Sequence, residues 1–198
     1  MPNYFFTSDT HFGHANIIRY TNRPWLRPGD LTASGEWVSR QIAGERVAAM
    51  DKEIIEKWNS VVRPGDYVYH LGDFCFGNFE SYFRRLNGII TFIEGNHDRD
   101  ARTNSRRFHS YHKLLETEVH GQKIVLCHYA LRVWNKSHYG AWHLYGHSHG
   151  SLPDDPNSLS FDVGVDCHNY YPLTFEQVSA IISKKSFKPI DHHGKDKL

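Results

Sequence analysis

The chain is predicted to have an α/β fold, with α+β left open as the alternative. Short apolar runs typical of strands alternate with helical patterns through the first half of the chain, as in strand–helix–strand units around a buried sheet. Five of the apolar runs end directly in residues that bind hard divalent cations. At 198 residues the chain is long enough for a well-buried core and short for two domains. We therefore expect a single domain over residues 1–198.

Seven apolar runs have the length and composition of β-strands. A turn at Arg63-Pro64-Gly65-Asp66 leads into the second of them. The predicted strands lie at residues 4–6, 67–71, 89–93, 114–119, 123–127, 142–145 and 160–166.

The clearest helix signal lies at residues 44–59. Apolar residues recur there at steps of three and four, which places them in one stripe along a helix. A shorter helix is expected at residues 15–20. The residues of the apolar stripe are Val47, Met50, Ile54, Trp58 and Val61.

Two further helices are predicted from their ends. Asn78 is placed to cap a helix that Asn87 and Gly88 terminate. Thr174, with Gln177 three residues later, has the pattern of a capping box at the start of the last helix.

Three segments lack a regular pattern. Residues 23–35 are rich in proline, glycine and charge and are expected to form a loop. Residues 99–113 are polar and basic with no clean period, and residues from about 184 to 198 are expected to form a loose, charged tail.

Composition excludes some classes of protein. The net charge is +1, so stable nucleic-acid binding and attraction to a membrane surface are not indicated. No apolar run approaches the roughly 20 residues that span a bilayer, and the first residues do not resemble a signal peptide. Three cysteines without a Cys-x-x-Cys pair suit a reducing compartment. We expect a cytoplasmic protein and leave its oligomeric state open.

Fifteen histidines are the compositional outlier, and five polar segments at strand ends contain several of them. Carboxylate, imidazole and amide oxygen together favour Mn²⁺, Fe or Zn²⁺. Each segment alone has an ordinary reading, such as a turn or a buried histidine, but the five together predict a metal site on the rim of a sheet. They are Asp9-Thr10-His11, Gly72-Asp73, Gly95-Asn96-His97-Asp98, Cys127-His128 and Gly146-His147-Ser148-His149.

Strand alternation suggests how these ligands are paired. Residues two apart on a strand share a face, so Asp9 and His11 are expected to face one ion, and His147 and His149 likewise. Asp73 is a hard anionic ligand placed to bridge two cations, whose mutual repulsion requires such an anion.

In type and order the five segments resemble the motifs of calcineurin-like metallophosphoesterases, most closely those of small single-domain phage and bacterial members. The resemblance implies a four-layer α/β/β/α sandwich of two mixed sheets with helices outside both. It also implies two cation sites that share one aspartate. The implied ligands of the first site are Asp9, His11, Asp73 and His149, and those of the second are Asp73, Asn96, His128 and His147.

The same resemblance implies a phosphoester hydrolase with two divalent ions and a hydroxide bridging them as nucleophile. Mn²⁺ is favoured, with Fe, Zn²⁺ and Ni²⁺ as alternatives. His97 is left as the general acid, and Asn96 would touch both metal and phosphate. Many family members carry a second acid where this chain has Phe76, so Asp98, a backbone carbonyl or a water is left to orient His97.

Substrate is less well defined. The favoured reading is a phosphodiesterase acting on small or nucleotide phosphodiesters, with Asn96, His97 and Arg132 as substrate contacts. A phosphomonoesterase or nucleotide phosphatase and a non-catalytic metal-binding scaffold are the alternatives. His14 and Asn16 are read either as site residues or as capping and surface residues.

Two tryptophans in the early part of the chain have three readings. Trp25 and Trp37 are expected to cover the core, to line a substrate cleft or to meet a second subunit.

Overall fold

Two β-sheets form the centre of the computed structural model, which describes residues 2–190. Single 3-10 turns lie at Ser105–Arg107, Ser137–Tyr139 and Val165–Cys167. The helices and strands are, in chain order, β1 Tyr4–Thr7, α1 Ala15–Tyr20, α2 Arg40–Val61, β2 Tyr67–His70, α3 Phe79–Phe83, β3 Ile89–Ile93, α4 Arg99–Thr103, β4 Ser110–His112, β5 Leu114–Val119, β6 Gln122–Cys127, β7 Trp142–Tyr145, β8 Ser160–Asp162, β9 Leu173–Thr174 and α5 Phe175–Ile182.

Both sheets are mixed. The first has the order β4-β3-β2-β1-β9, in which only β9 is antiparallel to its neighbour. The second has the order β5-β6-β7-β8, in which only the β5–β6 pair is antiparallel. The parallel strands β1, β2 and β3 end at one edge of the first sheet, and β6 and β7 end at one edge of the second. This architecture confirms the predicted α/β class with two mixed sheets.

The first hydrophobic core lies between the first sheet and helices α1, α2 and α3. Met50, Ile54 and Trp58 of α2 are fully buried in it, as the apolar stripe predicts. The helix begins earlier than predicted, because the Ser39 hydroxyl caps it by accepting from the backbone N–H of Ile42.

The far end of α2 differs from the predicted stripe. Val61 is exposed and Val62, just past the helix, is buried in its place, because the chain leaves helical geometry there. Trp25 lies in the first core and Trp37 packs against it, so these two tryptophans cover the core.

The second core lies between the two sheets and also contains the buried residues of α5. The outer face of the second sheet is covered by residues 129–141, whose Trp134 ring lies 5.2 Å from the His143 ring. This segment contains one 3-10 turn and no α-helix, so it differs from the helix layer that the resemblance implies outside the second sheet. No helix among residues 2–190 is long and apolar enough to cross a membrane.

Both predicted N-terminal caps are present, but α3 ends at Phe83 and not at Asn87 and Gly88 as predicted. Asn78 accepts a hydrogen bond from the backbone N–H of Ser81 at the start of α3. The Thr174 hydroxyl accepts from the Gln177 N–H at 3.2 Å, and the Gln177 side chain accepts from the Thr174 N–H at 2.8 Å. The capping box therefore forms as its sequence pattern predicts.

Two further segments differ from the prediction. The last strand of the second sheet ends at Asp162 rather than at residue 166, because the chain turns to pair Gly164 with Ser8 of the first sheet. Residues 99–113 contain α4 and β4, which are too short to show a period.

The end of the described chain is held rather than loose. The backbone N–H groups of Ser186 and Lys188 donate to the carbonyls of Pro156 and Asn157. Lys185 Nζ donates to the Ser160 carbonyl at 2.7 Å. These three residues of the expected loose tail are thus hydrogen-bonded to residues 156–160, and residues 191–198 lie outside the described part of the chain.

Loss of the capping box should destabilise the protein measurably. Thr174→Ala removes the hydroxyl that accepts from Gln177, and we expect the free energy of unfolding to fall by about 1 kcal/mol. Chemical denaturation measures this change. Ser179→Ala, in the middle of the same helix, is the control and should stay within about 0.5 kcal/mol of the parent. Equal stability of Thr174→Ala and the parent chain would contradict the capping role.

Candidate metal centre

The structure brings all seven candidate ligands to one place, where the ends of the parallel strands of the two sheets meet. Six of them form two groups, and within each group one ligand atom from every residue lies within 4.8 Å of the others. The first group, called here the Asp9 triad, is Asp9, His11 and His149; the second, the His128 triad, is Asp73, His128 and His147.

Asp73 lies between the two triads. Its Oδ2 atom is 3.5 Å from Nε2 of His11 and 3.6 Å from Nε2 of His128. Its Oδ1 atom accepts a hydrogen bond from the backbone N–H of His97 at 2.9 Å. One carboxylate oxygen is thus held by the backbone, and the other faces both groups of ligands.

The Asp9 triad contains polar atoms that no group of the protein satisfies. Oδ2 of Asp9 accepts from the backbone N–H of His147, but Oδ1 is buried without a hydrogen-bond partner. Both ring nitrogens of His11 are also buried and unpartnered. Buried polar atoms are normally paired, because an unpaired one destabilises the folded state. An anionic oxygen and an imidazole nitrogen left in this way fit a divalent cation.

Burial also determines the protonation of these groups in the absence of a cation. Desolvation raises the pKa of Asp9 to about 8, with the nearby Asp73 carboxylate adding to the rise. Desolvation lowers the pKa of His11 well below its ordinary value, and the Arg23 charge contributes in the same direction. His11 is therefore neutral, which is the form that binds a metal.

His128 has its coordinating nitrogen selected by the backbone. Its Nδ1 lies 2.8 Å from the carbonyl oxygen of Leu71, so Nδ1 carries the proton and donates it. Nε2 is left facing Asp73, and Oδ1 of Asn96 lies 3.1 Å from it. The Tyr129 hydroxyl lies 3.5 Å from the same Asn96 oxygen. Asn96 thus joins the His128 triad.

Left-handed backbone, and not strand alternation, sets the directions of the ligands. Left-handed φ values are rare for residues with side chains and occur often at functional sites. The expectation that His147 and His149 face one ion is wrong, because the chain leaves β7 before them and turns each toward a different triad. Asp9 and His11 share a triad, but they also lie beyond their strand. Five ligands have positive φ: Asp9 (59°), His11 (50°), Asp73 (55°), His147 (68°) and His149 (48°).

Two glycines allow the loops to approach this closely. Gly72 has a φ of +100°, and a Cβ there would lie 2.6 Å from the backbone nitrogen of Gly95 and 2.8 Å from Nδ1 of His128. A Cβ on Gly146 would collide with the side chains of Ser8 and Asp9. Any side chain at either position would displace a ligand.

His97 stands at the edge of the site with an exposed side chain. Its ring centre lies 5.4 Å from that of Phe76 and 5.9 Å from that of His11. Asp98 does not orient it, because both Asp98 oxygens accept backbone N–H groups, including that of Asp73 at 2.7 Å and that of Phe74 at 2.9 Å. Asp98 instead holds the backbone of the surrounding loops. The ring that lies beside His97 is that of Phe76.

The two residues after the first motif have different places. His14 occupies the N-cap position of α1, but its side chain makes no capping hydrogen bond. Its ring stacks on Phe76 at 4.0 Å and lies 5.4 Å from the His11 ring, so it belongs to the site. Asn16 accepts from Arg19 Nε on the helix surface, as its surface reading expects.

Arg132 lies outside the ligand cluster. It is exposed and lines a groove of about 490 Å³ together with Trp134, and none of the seven candidate ligands lines this groove. In the same segment it is Tyr129 that contacts the site, with its ring 4.9 Å from that of His147.

Two buried residues next to the site were missed by the sequence patterns. Arg23, predicted to lie in a loop, has 1% of its surface exposed and donates to the backbone carbonyls of Asp9 and Thr10. It also forms a two-bond contact with Asp166, whose Oδ2 lies 2.7 Å from Nδ1 of His149. No local pattern marks either residue, because both obtain their partners from segments far away in the chain.

Comparison with known proteins identifies relatives over most of the chain. A family model described as the calcineurin-like phosphoesterase superfamily domain matches residues 48–161, which is more than half of the sequence. The uncharacterized protein MJ1445 of Methanocaldococcus jannaschii is 32% identical over 194 residues, covering 93% of each chain. The crystal structure of AQ665 from Aquifex aeolicus, a protein of unknown function, has the same fold with a TM-score of 0.63 at 21% identity. That match covers 91% of this chain and all of the other.

Divalent cations should stabilise the folded protein, because they supply partners to the buried atoms of Asp9 and His11. At 100 times the dissociation constant, a ligand that binds only the folded state adds about 2.7 kcal/mol. Thermal unfolding of chelator-treated protein with and without Mn²⁺ measures the effect. Asp73→Asn should lose most of the gain, and His109→Ala, at an exposed position, should keep it. Equal gains in both variants would show that the cation binds elsewhere.

Proposed function

The chain belongs to the calcineurin-like phosphoesterase superfamily, and from this membership we propose that it is a phosphodiesterase that uses two divalent cations to hydrolyse small or nucleotide phosphodiesters. The family and the two candidate metal-binding groups make it a metal-binding phosphoester hydrolase. The preference for diesters, the number and identity of the ions and the residue roles below are parts of the proposal.

The position of Asp73 is the observation that carries the proposal. Two cations about 3.5–4 Å apart require a bridging anion that offsets their repulsion and sets their spacing. Oδ2 of Asp73 is nearly equidistant from Nε2 of His11 and Nε2 of His128, one from each triad. A carboxylate serving a single ion would not need to face both.

The ligand set suits several metals. The Asp9 triad with Asp73 would hold one ion, and the His128 triad with Asn96 would hold the second. Mixed carboxylate, imidazole and amide ligands without thiolate favour Mn²⁺ in our proposal, with Fe, Zn²⁺ and Ni²⁺ as alternatives. When bound, two such cations supply Lewis acidity, which lowers the pKa of a water molecule and offsets charge on the phosphoryl oxygens.

His97 is proposed as the general acid. Its side chain belongs to neither triad, and its backbone N–H is anchored on Asp73, so the ring is held next to the ligands without being one. From there it can donate a proton to the leaving oxygen of the substrate. The Phe76 ring lies beside it, at the position where many family members carry an acid.

The side chains around the triads support a diester substrate. His14, Phe76, Asn96 and Tyr129 bring no fixed positive charge to the site. Arg23 is buried and paired with Asp166, so its charge is already neutralised. A phosphodiester carries one negative charge at neutral pH, and it therefore suits this surface better than the dianion of a monoester.

A pair of nitrophenyl substrates tests the proposed activity. We expect Mn²⁺-loaded protein to hydrolyse bis-p-nitrophenyl phosphate faster than p-nitrophenyl phosphate. The reverse preference would favour a phosphomonoesterase. Activity on neither ester, in protein shown to contain metal, would favour a non-catalytic metal-binding scaffold.

Replacement of His97 separates proton donation from metal binding. His97→Ala should retain the parent metal content and lose about 10²–10⁴-fold in kcat on alkyl esters, because their leaving groups need a proton. The loss on nitrophenyl esters should be much smaller, since nitrophenolate leaves without one. Equal losses on both kinds of ester would contradict the assignment.

A further inference from the structure

A buried arginine connects the Asp9 segment with Asp166 next to the metal centre. Arg23 Nη2 donates to the backbone carbonyl of Asp9 at 2.8 Å, and Nη1 donates to that of Thr10 at 3.1 Å. Its Nε and Nη2 also donate to the two oxygens of Asp166 at 2.9 and 2.8 Å. Its side chain is fully buried, and that of Asp166 is 8% exposed. Such a planar fork on a carboxylate holds both groups in one orientation.

Asp166 passes this constraint on to a candidate ligand. Its Oδ2 atom, held by Arg23, lies 2.7 Å from Nδ1 of His149. A carboxylate at this distance requires the proton on Nδ1. The other ring nitrogen, Nε2, then keeps its lone pair, which is the form that binds a metal. His149 belongs to the Asp9 triad, so the contact acts on one of the two proposed ions only.

We propose that Arg23 and Asp166 form a positioning pair that sets the tautomer of His149 and ties this ligand to the Asp9 segment, and that the pair thereby controls the affinity of the Asp9 triad for its cation. The inference rests on the proposed metal sites. Neither residue is proposed to touch the ion or the substrate. The His128 triad is independent of the pair, because the Leu71 carbonyl selects the coordinating nitrogen of His128.

The variant Asp166→Asn tests the pair with little change of shape. An amide nitrogen turned toward His149 donates to Nδ1 and moves the proton to Nε2, which then cannot bind a metal. We expect the affinity of one of the two cations to fall about 10–100-fold, the usual effect of losing such a contact. The affinity of the other cation should stay within about twofold of its value in the parent protein. Calorimetric titration of the chelator-treated full chain with Mn²⁺ measures both affinities without any substrate.

The control is a second arginine–aspartate pair with the same fork. Arg46 donates to Asp30 through Nε at 2.7 Å and through Nη2 at 2.8 Å, and Asp30 is buried in a segment that supplies no candidate ligand. Asp30→Asn therefore removes an equivalent charged contact away from the triads. Both cation affinities should stay at the parent values in this variant.

Combination with a ligand variant identifies the affected site. His149→Ala should weaken the same cation as Asp166→Asn, and the double variant should show no loss beyond that of His149→Ala, because the pair acts through this ring. In selectively labelled protein, the ¹⁵N shifts of the His149 ring should report a proton on Nδ1 in the parent and on Nε2 in Asp166→Asn.

Three results would overturn the proposal: unchanged affinities in Asp166→Asn, equal weakening of both cations, or additive losses in the double variant. If near-ultraviolet circular dichroism shows that Asp166→Asn does not fold, Arg23→Lys takes its place as the test variant. It keeps a positive charge near Asp166 but loses the fork, and it should weaken the same cation selectively. A parent protein that binds two cations and hydrolyses neither nitrophenyl ester would refute the proposed function and leave this inference standing.

Discussion

The placement of the Asp73 carboxylate is the constraint on which the centre depends. Its oxygen Oδ2 can face ligands from both sheets only if the loops after several strands hold fixed positions. The Asp9 N–H donates to the Gly72 carbonyl and the His11 N–H donates to the Asp73 carbonyl, which continues the β1–β2 pairing beyond the strands. The loops that carry Asp9, His11 and Asp73 are thus held in register by an extension of the sheet's own hydrogen bonding.

This arrangement is unfavourable for the isolated chain. Five ligands have left-handed backbone, and Asp9 and His11 carry buried atoms without partners. Each such feature destabilises the folded state by an amount on the order of 1–3 kcal/mol. Two hydrophobic cores, one on each side of the first sheet, hold the loops in place nonetheless. Bound cations would relieve the part of the cost that comes from unpaired atoms, which couples metal binding to stability.

Buried carboxylates that are not ligands hold the surrounding loops. Asp51 accepts from the Gly13 N–H with both oxygens, Asp98 accepts from three backbone groups, and Asp162 accepts from the N–H groups of Gly150 and Gly164. Some buried histidines likewise have structural roles and are not candidate ligands. His70 bonds to Thr10 and His143 to the Val125 carbonyl, and neither lies in a triad. Residue type therefore does not distinguish a ligand from a structural residue. The direction in which the chain turns after each strand does, because Asp98 follows β3 on the same edge and faces backbone N–H groups instead of a triad.

The sequence by itself determined seven of the nine described strands, the N-terminal helix caps and the chemical types of the candidate ligands, because these depend on local periodicity, on contacts three residues apart and on residue type. It also placed seven candidate metal ligands at strand ends. Strand alternation wrongly paired His147 with His149, whereas the family resemblance separated them as the structure does. Only the tertiary structure decided that Asp98 shapes a loop and that Arg23 and Asp166 lie next to His149. The physical reason is that these roles depend on backbone directions and hydrogen bonds set by segments up to 143 residues away, of which local sequence carries no trace.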